Sequence, residues 1–166
     1  MSPVKQTRNI AVRIAENFKD IKIRLPKLKK LVKAVCNRFK LSKATISIAI
    51  VSNTQIRKLN KQFLNKNRPT DCLSFDLSDN DTNSLHGKRS RTIELIVNGE
   101  MAVKKATQQG HSAEAELALY ITHGLLHNLG FDDSTKKQAE KMHNTEDEIL
   151  QRLGYGRVYN KPKIEK

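Results

Sequence analysis

The chain has 166 residues, 37% of them hydrophobic and 29% charged, which is enough for one domain with an adequate core. Its formal net charge is +14, and the excess lies in the first half: residues 1–70 carry 18 Lys and Arg against 2 acidic residues, whereas residues 71–166 carry 13 against 15. Composition excludes a membrane-spanning segment, because no apolar run reaches the roughly 20 residues that a spanning helix needs.

The basic first half leaves three interpretations open. A nucleic acid is the favoured partner, because a polyanion neutralises such a one-sided charge. An anionic membrane surface and a merely solvated helix face are the alternatives. Charged side chains interrupt residues 1–20, so a signal-peptide core is missing and a cytoplasmic protein is expected. Cys36 and Cys72 are too few for a disulfide framework and are expected to be buried free thiols.

The first half of the chain predicts two strands and two helices. Ile10, Val12 and Ile14 alternate within residues 6–18, which is typical of a strand. A helix follows from Pro26 to about residue 40, because proline suits the first turn and the apolar residues beyond it recur at helical spacing. The β-branched run 45–51 predicts the second strand. Ser52 and Gln55 form a capping box that begins the second helix, whose apolar stripe is Ile56, Leu59 and Phe63.

The second half predicts two more strands and then three helices. Residues 65–70 are a loop, residues 72–77 and 92–97 are strands, and the polar stretch 78–90 between them is a loop with an exposed His86. Asn98 caps a helix to residue 109, Ser112 begins an apolar helix to residue 129, and Ser134 or Thr135 caps a last helix to residue 153. Residues 155–166 are expected to be a loose basic tail.

This order of elements predicts an α+β fold with a single small mixed β-sheet of about four strands and packed helices. The whole chain, residues 1–166, is expected to form one domain, with residues 1–5 and 155–166 as loose termini. No internal repeat is visible.

The chemistry of the chain concentrates in residues 123–133. His123 and His127 are four residues apart, so a helix places both imidazoles on one face, where they can reach a single metal ion. On a continued helix Asp133 would point elsewhere, but Gly130 ends the helix and lets the chain double back. The sequence therefore predicts a metal site with His123, His127 and Asp133 as ligands and a fourth position for water, which is typical of catalytic zinc.

Other interpretations of the two histidines remain. A lone HxxxH pair is more often two ordinary helix histidines. The spacing also matches the metzincin motif HExxHxxGxxH, but Gly124 stands at the position of the general-base Glu, which argues against peptide hydrolysis. His143 on the last helix is the next candidate ligand after Asp133.

Two segments resemble the YbeY family. Residues 68–75, RPTDCLSF, resemble its RPTDVLSF segment, and residues 123–133, HGLLHNLGFDD, resemble its HGxLHLxGYDH motif. Residues 92–100 and 108–112 fall where the family has its last strand and the turn before the metal helix. The resemblance covers about residues 44–155 and departs in three places: Asp133 replaces the third metal-binding His, Leu64 replaces an Arg, and Ile93-Glu94 replaces a Gly-Asp pair.

The resemblance implies a zinc-dependent endoribonuclease that cuts single-stranded RNA in small-subunit rRNA maturation and ribosome quality control. One zinc ion per chain is expected, with another divalent metal as the alternative because of Asp133. Lys61, Lys66 and Arg68 are the candidate RNA contacts, and no catalytic group is identified beyond the metal-bound water. The competing hypotheses are a non-catalytic ribosome or RNA-binding assembly factor with a structural or decayed metal site, and a metal-dependent hydrolase of another substrate.

Overall fold

The computed structural model of the protein describes residues 9–78 and 90–159, in which four strands and five helices are formed. The strands are β1 (Asn9–Glu16), β2 (Lys43–Val51), β3 (Cys72–Asp76) and β4 (Ser90–Asn98). The helices are α1 (Leu25–Arg38), α2 (Asn53–Leu64), α3 (Gly99–Gln109), α4 (Ala113–Asn128) and α5 (Lys136–Arg152). The order β-α-β-α-β-β followed by three helices agrees with the order predicted from sequence.

The four strands form one mixed sheet in the order β1-β2-β4-β3. Strands β1, β2 and β4 run parallel, and β3 pairs antiparallel with β4 at the edge. The prediction of a small mixed sheet in an α+β fold is confirmed. The predicted loop with His86, the expected loose N-terminus 1–5 and the segment 160–166 lie outside the described residues.

The two faces of the sheet carry different layers. One face presents Ile46, Ile48 and Ile50 of β2, which are fully or almost fully buried in the main core with α1 and α4. The opposite face carries a smaller cluster in which Ile56 of α2 packs with Leu73 of β3. Helix α2 therefore lies across the sheet from α4, and the edge strand β3 contributes side chains to both layers by alternation.

Helix α2 begins at the predicted capping box but does not bury all of its predicted stripe. The Ser52 side chain accepts from the Gln55 amide, and the Gln55 side chain accepts from the Ser52 amide. Ile56 is fully buried, whereas Phe63 is 56% exposed. The predicted stripe therefore reaches the surface at Phe63, whose ring packs edge-on against Phe75 with centroids 5.4 Å apart.

Residues 155–159 differ from the expected loose tail. Val158 is only 2% exposed, and the amides of Tyr155 and Tyr159 donate to Leu150 O at 2.9 Å and to Asp147 Oδ1 at 3.1 Å. The ring of Tyr155 also lies 4.1 Å from the Lys27 ammonium. These contacts bind the segment to α5 and α1. Within the described part of the chain, no helix combines the length and the apolar content that a membrane crossing requires.

Candidate metal centre

Helix α4 is the central helix of the fold. Ser112 caps it by accepting from the amide of Ala115 at 3.1 Å, and the helix is buried on most sides from residue 114 to residue 126. Such all-round burial explains why its apolar residues do not form a single stripe. Only the last turns reach the surface, and there His123 and His127 are 19% and 34% exposed. A rigid, buried helix thus presents two histidines at its accessible end.

The two imidazoles converge on one point. The Nε2 atoms of His123 and His127 lie 3.0 Å apart, and the rings are nearly perpendicular. This is the arrangement expected from the i, i+4 spacing. Both nitrogens face the same space at the surface end of α4.

Asp133 reaches the same space because the chain turns sharply after α4. Gly130 has a φ of +98°, and the amide of Phe131 donates back to Leu126 O at 3.0 Å. Asp132 then closes a tight turn, accepting from the Asp133 amide at 2.8 Å. Asp133 Oδ2 consequently lies 3.8 Å from Nε2 of His123 and 3.7 Å from Nε2 of His127. The structure brings together the three side chains that the sequence proposes as ligands.

Hydrogen bonds to the two Nδ1 atoms determine the tautomer of both histidines. Nδ1 of His123 lies 2.7 Å from Oε1 of Glu146, and Nδ1 of His127 lies 3.2 Å from Phe131 O. A carboxylate and a carbonyl accept hydrogen bonds, so each Nδ1 carries the proton and each Nε2 has its lone pair free in the neutral ring. Burial opposes a second proton on His123, but the hydrogen bond and charge of Glu146 outweigh burial and raise its pKa.

This donor set fits a divalent metal ion. Two lone pairs that face each other at 3.0 Å, beside a carboxylate oxygen, repel one another unless a cation lies between them. Tetrahedral zinc with ligand distances of about 2.0–2.1 Å places neighbouring ligand atoms about 3.4 Å apart. The observed separations of 3.0, 3.7 and 3.8 Å bracket that value. The three residues form a group whose ligand atoms could hold one ion.

Gly124 lies on the face of α4 that packs against the sheet. A Cβ at this position would lie 2.7 Å from Cys72 Sγ and 3.0 Å from Leu95 Cδ2. The carbonyl of Gly124 accepts from the hydroxyl of Ser74 at 3.1 Å and from the side-chain Nδ2 of Asn128 at 3.0 Å. The position that carries the general base in zinc peptidases therefore has no room for a side chain, which agrees with the argument against peptide hydrolysis.

His143, the second-choice ligand, lies behind the site. Its Nδ1 is 3.0 Å from Oε2 of Glu146, and its ring stacks on Tyr159 with centroids 3.5 Å apart. His123, His143 and Glu146 also form a group that could hold an ion. In that group the Glu146 oxygens are already engaged by both Nδ1 atoms, so the group containing Asp133 is the better cation site.

Glu146 is the site residue that sequence reasoning missed. It is completely buried on α5, where only a charged partner makes a carboxylate tolerable. Its spacing of three residues from His143 was the available signal, since such pairs share a helix face. The contact of Glu146 with His123 could not be predicted from local spacing, because the two residues are far apart along the chain.

The predicted RNA contacts lie apart from these ligands. Lys61 belongs to α2, across the sheet from α4, and Lys66 and Arg68 belong to the loop that leads from α2 to β3. Helix α2 holds this loop, because the buried side chain of Asn60 donates to Arg68 O at 2.9 Å. The loop ends at Asp71, whose charge also raises the pKa of His123.

Fold and site together define an α+β protein with a two-histidine, one-carboxylate candidate metal centre at the end of a buried helix. The sequence model of the family Endoribonuclease YbeY matches residues 13–154, and the chain belongs to this family. The resemblance stated from sequence is thereby confirmed.

Individual relatives agree with this assignment. The chain is 38% identical over 125 residues to the Endoribonuclease YbeY of Syntrophomonas wolfei, covering 72% of this chain and 80% of the relative. It is 31% identical over 132 residues to the protein of the same name from Francisella philomiragia, covering 80% and 84%. The solution structure of a Thermotoga maritima protein matches 93% of this chain and 99% of its own at a TM-score of 0.55 and 23% identity, which supports the fold.

Proposed function

We propose that the protein is a zinc-dependent endoribonuclease that cuts single-stranded RNA, with His123, His127 and Asp133 as the ligands of one metal ion per chain. The observation that carries the proposal is the convergence of these three ligand atoms within 3.8 Å in a member of the Endoribonuclease YbeY family. Zinc is preferred to other divalent metals because two of the three ligands are imidazoles.

The protein groups around the site have definable roles. A zinc ion bound there supplies Lewis-acid chemistry, which withdraws charge from a phosphodiester and acidifies water. Glu146 and Phe131 O hold the imidazoles in the tautomer that directs Nε2 outward. The empty side-chain position at Gly124 means that this helix supplies no carboxylate base.

The RNA strand is held by cations outside the metal centre. Lys61, Lys66 and Arg68 are exposed on α2 and the following loop. Phosphate contacts of this kind position a strand without reading its sequence. Small-subunit rRNA on the ribosome, in the cytoplasm, is the proposed substrate, supported by the family and by the basic first half of the chain.

The direct test is incubation of the purified, zinc-loaded protein with a single-stranded RNA and with its duplex. We expect cutting of the single strand that stops on addition of a chelator and resumes when zinc is restored. The variant His127→Ala is expected to bind the RNA nearly as well as the parent and not to cut it, because the metal acts on the transition state. Its comparison with the parent separates cutting from binding.

The affinity for RNA supplies a second readout. Phosphate neutralisation releases counterions, so affinity falls with salt at a log–log slope of about −0.7 per contacted phosphate. Replacing both Lys66 and Arg68 with Ala should make this slope shallower and weaken the binding of all sequences alike. A parent protein that binds RNA but shows no metal-dependent cutting would overturn the enzyme and support a non-catalytic assembly factor. Cutting of another substrate class alone would support a different hydrolase.

A further inference from the structure

The ends of α2 and β3 expose apolar side chains that the core does not use. Phe63, Leu64 and Leu77 are 56%, 50% and 55% exposed. Phe75 shares the face of β3 that looks toward α2, and its ring packs edge-on against Phe63 at 5.4 Å with an interplanar angle of 62°. These four residues, Phe63, Leu64, Phe75 and Leu77, are called the aromatic patch. Exposed apolar side chains that lie against another ring, as Phe63 does against Phe75, mark a binding surface more often than scattered single ones do.

The side of the aromatic patch that α2 and the following loop form is strongly basic. Residues 53–70 contain no acidic residue. They contain five cationic residues, which are Arg57, Lys58, Lys61, Lys66 and Arg68. The ion pairs formed within residues 9–78 and 90–159 involve none of these five side chains. Their charge is therefore available to an external anion.

The loop after α2 connects the aromatic patch with the metal centre. Asn60, which is 2% exposed, bonds the loop on both sides: its carbonyl accepts from the Lys66 amide at 3.3 Å, and its side chain donates to Arg68 O at 2.9 Å. The loop runs on to Asp71, which lines a cavity of about 190 Å³ together with His123. Lys66 and Arg68 thus lie on the loop that leads from Phe63 to the cavity shared with His123.

We propose that the aromatic patch is a base-stacking platform for single-stranded RNA, with Phe63 as its central ring. Lys61, Lys66 and Arg68 would hold the phosphates between the platform and the metal centre. The occupant is RNA and not a protein because Phe63 is carried by a segment, residues 53–70, that holds five cations and no acid, and rings set among cations are the combination that single-stranded nucleic acid recognises. The proposal rests on the proposed function and adds to it the reason for strand selectivity: bases paired in a duplex cannot stack on the patch.

Fluorescence tests the contact directly, since the chain contains no Trp. The variant Phe63→Trp places one reporter on the platform, and Lys30→Trp places a matched reporter on the exposed surface of α1. We expect single-stranded RNA to quench the indole emission of the Phe63→Trp variant strongly and that of the Lys30→Trp variant little. Duplex RNA and an abasic ribose-phosphate strand of equal length should quench neither. Equal quenching of the two reporters, or quenching by the abasic strand, would overturn the platform.

Affinity measurements separate stacking from simple apolar contact. In metal-free protein, where nothing is cut, Phe63→Tyr should keep the parent affinity, whereas Phe63→Leu should lose about 5- to 150-fold, the range for one stacked base. For the double replacement of Lys66 and Arg68 with Ala, the double variant Lys30→Ala, Lys33→Ala is the charge-matched control, because it removes two cations from α1. Retention of affinity by Phe63→Leu would overturn the stacking role of Phe63. If that variant also still cuts RNA, the proposed nuclease function stands. Absence of any RNA binding or cutting by the parent would overturn both proposals.

Discussion

Glu146 Oε1 lies 2.7 Å from Nδ1 of His123, although the two residues are 23 positions apart on different helices. The carboxylate is completely buried, and its second oxygen binds His143 at 3.0 Å. One acidic side chain of α5 thereby determines the direction in which the α4 imidazole presents its free nitrogen. The candidate metal centre is consequently a property of the packed helix pair and not of the HxxxH spacing alone.

Replacement Glu146→Gln should weaken zinc binding by about 10- to 100-fold, because loss of an outer carboxylate lowers the basicity of the ligating imidazole. Competition with a metal chelator at neutral pH measures the change. Glu148→Gln is the matched control, since Glu148 lies on the same helix and pairs with Arg38 at the surface. Equal zinc affinity of the Glu146→Gln variant and the parent would remove Glu146 from the metal centre.

The ligand histidines are tested by stoichiometry. The double variant His123→Ala, His127→Ala should bind no zinc in a site where the parent binds one ion per chain. His143→Ala should retain the ion, because its Nδ1 is directed at Glu146 and not at the three ligand atoms. Elemental analysis after gel filtration gives both values. Loss of the ion from His143→Ala alone would assign the ligand role to His143.

The carboxylate ligand is tested by exchange for imidazole. Asp133→His should raise zinc affinity, because imidazole suits zinc better than a carboxylate does in a nitrogen-rich site. Asp133→Ala should lower it, since the ion would lose the oxygen that lies 3.7 and 3.8 Å from the two Nε2 atoms. Both variants change an exposed side chain, so folding should be preserved. Binding by Asp133→Ala as tight as by the parent would exclude Asp133 as a ligand.

Because α4 packs against the sheet, substitutions at Gly124 and Cys72 should have non-additive effects on the free energy of unfolding. Gly124→Ala should reduce the free energy of unfolding by about 1–3 kcal/mol, the usual result of overpacking, because its Cβ would lie 2.7 Å from Cys72 Sγ. In a Cys72→Ala background the same change should cost much less, since the sulfur is gone and Ala favours the helix by about 1 kcal/mol over Gly.

A double-mutant cycle by urea denaturation measures this coupling. Gly130→Ala is the contrasting control: its Cβ would meet no atom within 4 Å, but a φ of +98° strains any side chain. Its loss of stability should therefore be independent of Cys72. Additive effects of Gly124→Ala and Cys72→Ala would contradict the contact.

Stability toward acid is expected to depend on Asp76, the last residue of the edge strand β3. Hydrogen bonding to Ser78 and the charge of Arg91 lower the pKa of Asp76. A lowered folded-state pKa means that the stabilisation is present above the unfolded value, about 3.9, and is lost as pH falls through the folded value. Asp76→Asn should therefore destabilise the protein at neutral pH and by progressively less toward pH 2. Thermal denaturation against pH measures the trend, with Asp20→Asn as the control for loss of one exposed charge; a constant difference at all pH values would contradict it.

Much of the fold could be predicted from sequence because its signals are local. Alternation in β1 and the capping box at Ser52 depend on residues close in the chain, and both are found in the structure. The packing of Tyr155–Tyr159 was missed because its partners lie on α1 and α5. Exposure of Phe63 was missed for a related reason: helical spacing shows which face is apolar but not where the partnering sheet ends.

The candidate metal centre likewise has a part that local sequence patterns predict and a part that depends on tertiary packing. His123, His127 and Asp133 lie within eleven consecutive residues, so periodicity and one glycine were enough to group them. Glu146 comes from another helix, and no local pattern connects it to His123. The empty position at Gly124 was visible in the sequence, but its steric cause, the sulfur of Cys72 on an edge strand, depends on tertiary packing.

The closeness of the three ligands along the chain has a thermodynamic consequence. A segment as short as residues 123–133 keeps its two histidines and its aspartate near one another even when the protein is unfolded. Metal binding to the unfolded chain reduces the stabilisation that loading gives to the native state. Zinc should therefore raise the melting temperature by less than its affinity for the folded protein implies. The shortfall measures the affinity that residues 123–133 keep without Glu146 and the packed helices.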